Sequence, residues 1–470
     1  MGRSGAAPAV AAIAPPSPAL RARTLASGLR VVEWSGAEDV FSAALLVGAG
    51  PLDDPADLPG LTELGLHAAT LGTEADPDDT RPAARALALG GALHTVADGR
   101  VVGWVARGPR SAAPQLLELL RDLAAAPSLP ASRFELLVAM AREQVETEGL
   151  GATGTGIAVA VGTALGLGRP VPLAPTAAML ERVHREDVLR HWRRIARPER
   201  AILVMRMPAG VAVAEEVDRV FGAWVADAPL PDEITPCLPL GQTLHRIATS
   251  DAAKTRSVAL VATAAPGVGD PERGALEALA AWLSERPGGP IERLVGIDEA
   301  TRARPWILDL GWGGGRGVAV VLSASGGDNA DAASNLRGIA ELFASQAEGP
   351  GLSGDDASAA RRAVAGQARV ELAAPLTGLI ALGTRQLYRV RDAAPEPADI
   401  QAMAARWLAP HRQTLVVVGF ADLSTDPAET VREAVWTETG EHTSGPAPAR
   451  CVPLDVLQGH NPVDSTAQPR

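Results

Sequence analysis

Glu63 and His67 stand one helical turn apart in the segment Gly60-Leu-Thr-Glu-Leu-Gly-Leu-His-Ala-Ala-Thr-Leu-Gly-Thr73. A carboxylate and an imidazole at i and i+4 share a helix face, where they can ligate a metal ion. The competing reading leaves Glu63 in solvent and His67 as a hydrogen-bonded histidine of a core or cleft. Other motifs carry less chemistry. The glycine-rich runs Gly151–Gly156 and Gly311–Gly317 lack the GxxxxGK[ST] form of a phosphate loop and read as turns. No GxSxG is present, and the eight histidines do not cluster in the sequence. Cys237 and Cys451 are too few for a disulfide framework and have no CxxC spacing.

These side chains must be positioned by a larger pattern, and the chain repeats itself. Ser42-Ala-Ala-Leu-Leu-Val-Gly-Ala-Gly-Pro51 returns 215 residues later as Ser257-Val-Ala-Leu-Val-Ala-Thr-Ala-Ala-Pro266. Arg190-His-Trp192 before Ala201–Met205 is echoed by Ala405-Arg-Trp407 before Thr414–Val418. In the first copy, the predicted strands are Arg30–Glu33, Ser42–Val47, His94–Ala97, Val101–Val105 and Ala201–Met205. The predicted helices are Gly60–Leu71, Arg81–Leu89, Ala113–Ala124, Ser132–Glu146, Thr153–Leu165 and Arg185–Ile195. Paired strands with helices grouped between them imply an α+β fold: two tandem homologous domains, each an antiparallel sheet packed against helices. The expected divisions are a Pro/Ala-rich arm at 1–24, an N-terminal domain at 25–226, a Pro-rich linker at 227–244, a C-terminal domain at 245–440 and a tail at 441–470.

Composition removes several function classes. With 43 Lys plus Arg against 55 Asp plus Glu, the net charge is -12 and no basic block exists, which argues against nucleic-acid binding. The uncharged stretch Leu150–Gly168 is too rich in glycine and threonine to insert in a bilayer, so no membrane partner is expected. Prolines 15, 16 and 18 interrupt any signal-peptide core, so a cytoplasmic location is expected, with secretion or the periplasm as the alternative.

The segment Gly50–Thr73 resembles the opening of the insulinase/pitrilysin (inverzincin) family of zinc metallopeptidases, whose helix carries H-x-x-E-H. Further matches are Leu89-Gly90-Gly91-Ala92-Leu93-His94-Thr95, Leu167-Gly168-Arg169-Pro170-Val171 and Val183-His184-Arg185-Glu186-Asp187-Val188-Leu189. Aligned this way, the first zinc ligand is Glu63, the water-activating Glu is Leu66 and the second ligand is His67. The resemblance implies a third ligand near Glu143, with Gln144 and Glu146 beside it, and a vestigial Glu63/His67/Glu143 metal set. Loss of the base alone removes roughly 10²- to 10⁴-fold of catalysis, so no catalytic residue and no zinc cofactor are expected.

The resemblance also implies a clamshell of two halves around a central cavity, with an edge strand at Gly90, Gly91 and His94 that holds peptide. Zinc-less subunits of the family's heterodimers supply an Arg and a Tyr to the substrate. Here those positions fall at Glu299 and Trp306, which leaves Arg302, Arg304 and Trp306 as candidate peptide contacts. The function implied is a pseudopeptidase subunit, not an enzyme on its own, paired with an active zinc-bearing homologue. Alternatives are a stand-alone peptide-binding or scaffold protein, and a metallopeptidase with an atypical Glu63/His67/Glu143 site.

Overall fold

The computed structural model describes residues 20–36, 40–75, 81–148, 151–208, 213–226, 237–239, 242–248, 258–284, 290–291, 304–309, 316–324, 329–349, 352–390, 395–419, 432–436, 442–444 and 451–453. In the first half, strands β1 (Leu20–Thr24), β2 (Arg30–Gly36), β3 (Val40–Gly48), β4 (Ala92–Ala97), β5 (Val101–Pro109) and β6 (Ala201–Pro208) make a sheet ordered β1-β2-β6-β3-β5-β4. Its helices are α1 (Leu61–Leu71), α2 (Pro82–Ala88), α3 (Ala113–Ala125), α4 (Ala131–Glu148), α5 (Gly151–Ala164), α6 (Ala177–Leu180), α7 (Arg185–Ile195) and α8 (Ala214–Phe221).

The second half begins with β7 (Cys237–Pro239), β8 (Thr243–Ala248), β9 (Val258–Pro266), β10 (Arg304–Asp309) and β11 (Arg316–Ala324). It continues through β12 (Thr414–Gly419), β13 (Arg432–Trp436), β14 (His442–Ser444) and β15 (Cys451–Pro453). Its described helices are α9 (Arg273–Ser284), α10 (Asn329–Glu348), α11 (Gly354–Ala373), α12 (Thr377–Leu387) and α13 (Pro397–Trp407). The second sheet is ordered β10-β11-β9-β12-β8-β13-β14. Its run β8-β12-β9-β11-β10 matches β2-β6-β3-β5-β4 of the first sheet, so the sequence repeat is also a repeat of topology.

Two expectations need correction. The sheets are mixed and not wholly antiparallel: β6 runs parallel to β2, and β12 and β13 run parallel to β8. Each closing strand returns only after a long helical excursion, and a crossover of that length permits parallel pairing. The arm also ends earlier than residue 24, because Leu20–Thr24 pairs with Arg30–Trp34 as β1. Most of the expected linker, residues 227–236 and 240–241, lies outside the described residues.

Strands β3 and β9 are buried on both faces, which is why they read as continuous apolar runs instead of alternating ones. Phe41, Ala43, Leu45 and Val47 point into a core with Leu116, Leu120 and Trp192 of the same half. Ala44 and Leu46 point the other way, against Leu379, Leu382 and Tyr388 from the second half. The arrangement is reciprocal. Ala259 and Val261 face Leu276, Leu279 and Trp407 of their own half, while Val258, Leu260 and Ala262 meet Ile157 and Val161 of α5. Each half thus lends one helix, α5 or α12, to cover the other half's sheet.

Candidate functional site

Helix α1 is fixed at its start by a buried polar knot. The Asp54 carboxylate accepts hydrogen bonds from the Gly60 amide (2.6 Å), the Thr62 amide (2.7 Å) and the Thr62 hydroxyl (2.6 Å). His191 Nε2 lies 2.9 Å from the Thr62 hydroxyl and 3.4 Å from Asp54 Oδ1, which ties α1 to α7. A carboxylate before the first turn satisfies amides that no helical carbonyl can reach. Gly60 occupies the left-handed region at φ 85°, and a Cβ there would meet the Pro175 backbone at 2.3 Å. Gly65 lies under the Trp192 indole, where a Cβ would sit 2.7 Å from Cε3.

Burial then sorts the faces of α1. Leu61, Leu64, Ala68 and Leu71 pack with Leu129, Leu137 and Leu180. Leu66 and Ala69 enter the core beneath the first sheet, and Leu66 is 0% exposed. The stripe left over holds Glu63, His67 and Thr70. Glu63 Oε1 and His67 Nε2 are 3.8 Å apart, with side chains 28% and 46% exposed. The Thr70 hydroxyl donates to the His67 carbonyl (2.7 Å).

This stripe opens onto a shallow cavity of about 130 Å³, closed on its far side by Leu137, Met140, Ala141 and Gln144 of α4. Those four positions are spaced i, i+3, i+4, i+7 and form one helix face. Glu143 is exposed and does not line the cavity. The residue facing Glu63 and His67 from α4 is therefore Gln144, one position beyond the sequence-based choice. The Arg133 guanidinium anchors α4 to the end of α1 through the Leu71 carbonyl.

Zinc does not fit this donor set. A structural or catalytic zinc takes imidazole, thiolate or carboxylate donors, and the cavity offers one carboxylate, one imidazole and a neutral amide. Among the described residues, no three His, Cys, Asp or Glu side chains gather as a metal-binding group. Leu66, which the resemblance aligns with the water-activating carboxylate, is turned into the core.

Of the other predicted residues, Gly90, Gly91 and His94 come together at the sheet's edge. Gly90 turns the chain at φ 72°, and a Cβ on Gly91 would lie 2.3 Å from the Arg107 carbonyl oxygen. His94 is exposed on β4, which pairs only with β5 and leaves its outer edge open. Arg304 and Trp306 occupy β10, the edge strand of the other sheet, opposite Leu322 and Val320. Glu299 and Arg302 lie outside the described residues. Sequence reasoning missed the Asp54–Thr62–His191 knot. Its signal was a histidine among Val188, Leu189, Trp192 and Ile195 on the buried face of α7.

No protein-family model matches the chain, and no curated protein matches it. Solved structures do. A protease from Helicobacter pylori superposes with a TM-score of 0.69 at 14% identity, covering 85% of this chain and 99% of that one. The peptidase M16 inactive domain from Pseudomonas fluorescens gives 0.71 at 15% identity, covering 87% and 100%. An M16-like peptidase from Alicyclobacillus acidocaldarius gives 0.61 at 14%, covering 86% and 99%. Two mixed sheets, each covered by a helix lent from the other half, therefore make up a fold of the M16 peptidase type over 85% to 87% of this chain.

Proposed function

We propose that this chain is a non-catalytic member of the insulinase/pitrilysin group that pairs with a homologue carrying an intact zinc motif and helps form its peptide chamber. The observation that carries the reading is Leu66: the position of the water-activating carboxylate is a fully buried core residue. Its neighbours agree, since Glu63 replaces an imidazole and the cavity's α4 donor is the amide of Gln144. The fold likeness to a structure named an inactive domain is in keeping with this.

In this reading the two halves close as a clamshell over the chamber, and the open edge of β4 near Gly90, Gly91 and His94 takes a peptide by strand addition. Trp306, with Arg304 and Arg302, would contact the same peptide from the second half. The zinc and the chemistry belong to the partner.

The test is reconstitution. The chain, produced with a homologue that bears H-x-x-E-H, is expected to elute with it as a one-to-one complex, and peptide cleavage is expected to need both chains. Alone, the chain is expected to bind peptide without cleaving it and to contain no stoichiometric zinc. A chain that stays apart from every such homologue, or that purifies with one zinc lost on Glu63→Ala, overturns the proposal.

A further inference from the structure

The chain's two cysteines lie in matching tetrapeptides, Cys237-Leu-Pro-Leu240 and Cys451-Val-Pro-Leu454, 214 residues apart. That separation is the spacing of the internal repeat, so the two segments are equivalent positions of the two copies. The fold brings them together. Strands β7 and β15 pair antiparallel, with Cys237 opposite Pro453, Leu238 opposite Val452 and Cys451 opposite Pro239. Exchanging the two strands leaves this register unchanged, so a local two-fold axis passes between Leu238 and Val452.

Residues flanking the central pair share a face of the ladder, which places 237 and 451 on one face, a diagonal step apart. Diagonal Cα atoms lie about 7–8 Å apart, and a disulfide spans roughly 4.4–6.8 Å. A tightening of about 1 Å bridges that difference. Little opposes it: the ladder is three residues long and belongs to neither large sheet. Pro239 and Pro453 also have no N–H to lend to its hydrogen bonds.

We propose that Cys237 and Cys451 are a redox pair that a small-molecule disulfide converts into a covalent clasp between the segment joining the halves and the C-terminal tail. One cysteine thiolate attacks the small disulfide, whose S–S bond breaks as a mixed disulfide forms and one thiolate leaves. The other cysteine thiolate attacks the protein sulfur of the mixed disulfide, forms the Cys237–Cys451 bond and expels the second small thiol. Two protein sulfurs are oxidised, and the small disulfide is reduced to two thiols that carry off the two protons. The bond closes a loop around β8–β14 and α9–α13, the whole second half.

The full chain is equilibrated with oxidised glutathione, blocked with an alkylating reagent and digested without reduction. Alkylatable thiols are expected to fall from two to none, with a peptide pair linking Cys237 to Cys451 in a chain that stays monomeric. In Cys237→Ser or Cys451→Ser, the remaining cysteine should carry glutathione instead. Separate glutathione adducts or free thiols on both cysteines of the unaltered chain, or disulfides between chains, would overturn the proposal.

Discussion

Single side chains decide whether this cavity can do hydrolytic chemistry. Adding donors around His67 separates metal binding from catalysis. The pair Glu63→His with Gln144→Glu rebuilds a two-imidazole, one-carboxylate set across α1 and α4, and calorimetry is expected to show stoichiometric zinc binding. On the proposed reading no peptidase activity is expected from this variant, because Leu66 supplies no base. Adding Leu66→Glu is expected to cost more than about 3 kcal/mol in urea unfolding, since it puts a carboxylate among apolar groups with no partner. Equal stability would show that position 66 is not a core site. The knot before α1 gives a second test. Asp54→Ala strands two buried amides, leaves the Thr62 hydroxyl only His191 as partner and removes the carboxylate beside His191. A loss of about 2–4 kcal/mol is expected, measured by thermal or urea melting.

Helices α5 and α12 are the elements whose placement sets how the halves meet. Each has a glycine where it crosses the other half's sheet. A Cβ on Gly156 would lie 2.6 Å from a Val418 methyl and 3.1 Å from Leu260, and a Cβ on Gly383 would lie 2.6 Å from Leu46 and 3.1 Å from Val204. Elsewhere in a helix, Gly→Ala gains about 1 kcal/mol. Here the methyls that would have to yield are fully buried, and overpacking costs about 1–3 kcal/mol. Gly156→Ala and Gly383→Ala are therefore expected to lower the unfolding midpoint, and a rise in either would refute this close approach. The helices themselves were legible, since α1, α3, α4, α5 and α7 fall within two residues of the predicted spans. The strand β1 was not, because Leu20–Thr24 follows a Pro/Ala-rich run and its pattern is too short to stand out from it.

On the scale of the whole molecule, the contact between halves includes the chain's single tyrosine. The Tyr388 hydroxyl donates to the Arg100 carbonyl (2.6 Å), and the Arg30 guanidinium reaches the Gln386 and Leu387 carbonyls at the end of α12. Burial, with the carboxylates of Asp53 and Asp98 adding to it, pushes the Tyr388 phenol above the ordinary tyrosine range. The unfolded chain releases that proton near about pH 10, whereas the folded chain retains it. Above that pH the unfolded state binds fewer protons, so stability is complete below pH ~10 and falls as pH rises beyond it. A tyrosinate absorbance titration is expected to stay flat through pH ~10 in the native protein and to follow an ordinary phenol curve in denaturant. An ordinary curve in the native protein would mean that α12 does not seal this contact.

Residue order alone carried the α+β class, the two copies and the element spans of the first half, because periodicity and turn signals are local properties of the chain. It also paired Glu63 with His67, since an i, i+4 relation follows from the helix itself. Three-dimensional packing settled which residue of α4 faces them. A separation of 76 or 77 residues across several elements leaves the register open by a position, and one position rotates a side chain by about 100°; Gln144 faces the cavity and Glu143 faces water. Packing likewise assigned α5 and α12 to the opposite sheets, and strand pairing set β7 beside β15. An apolar face specifies that it must be covered, but its partner depends on where the rest of the chain lies.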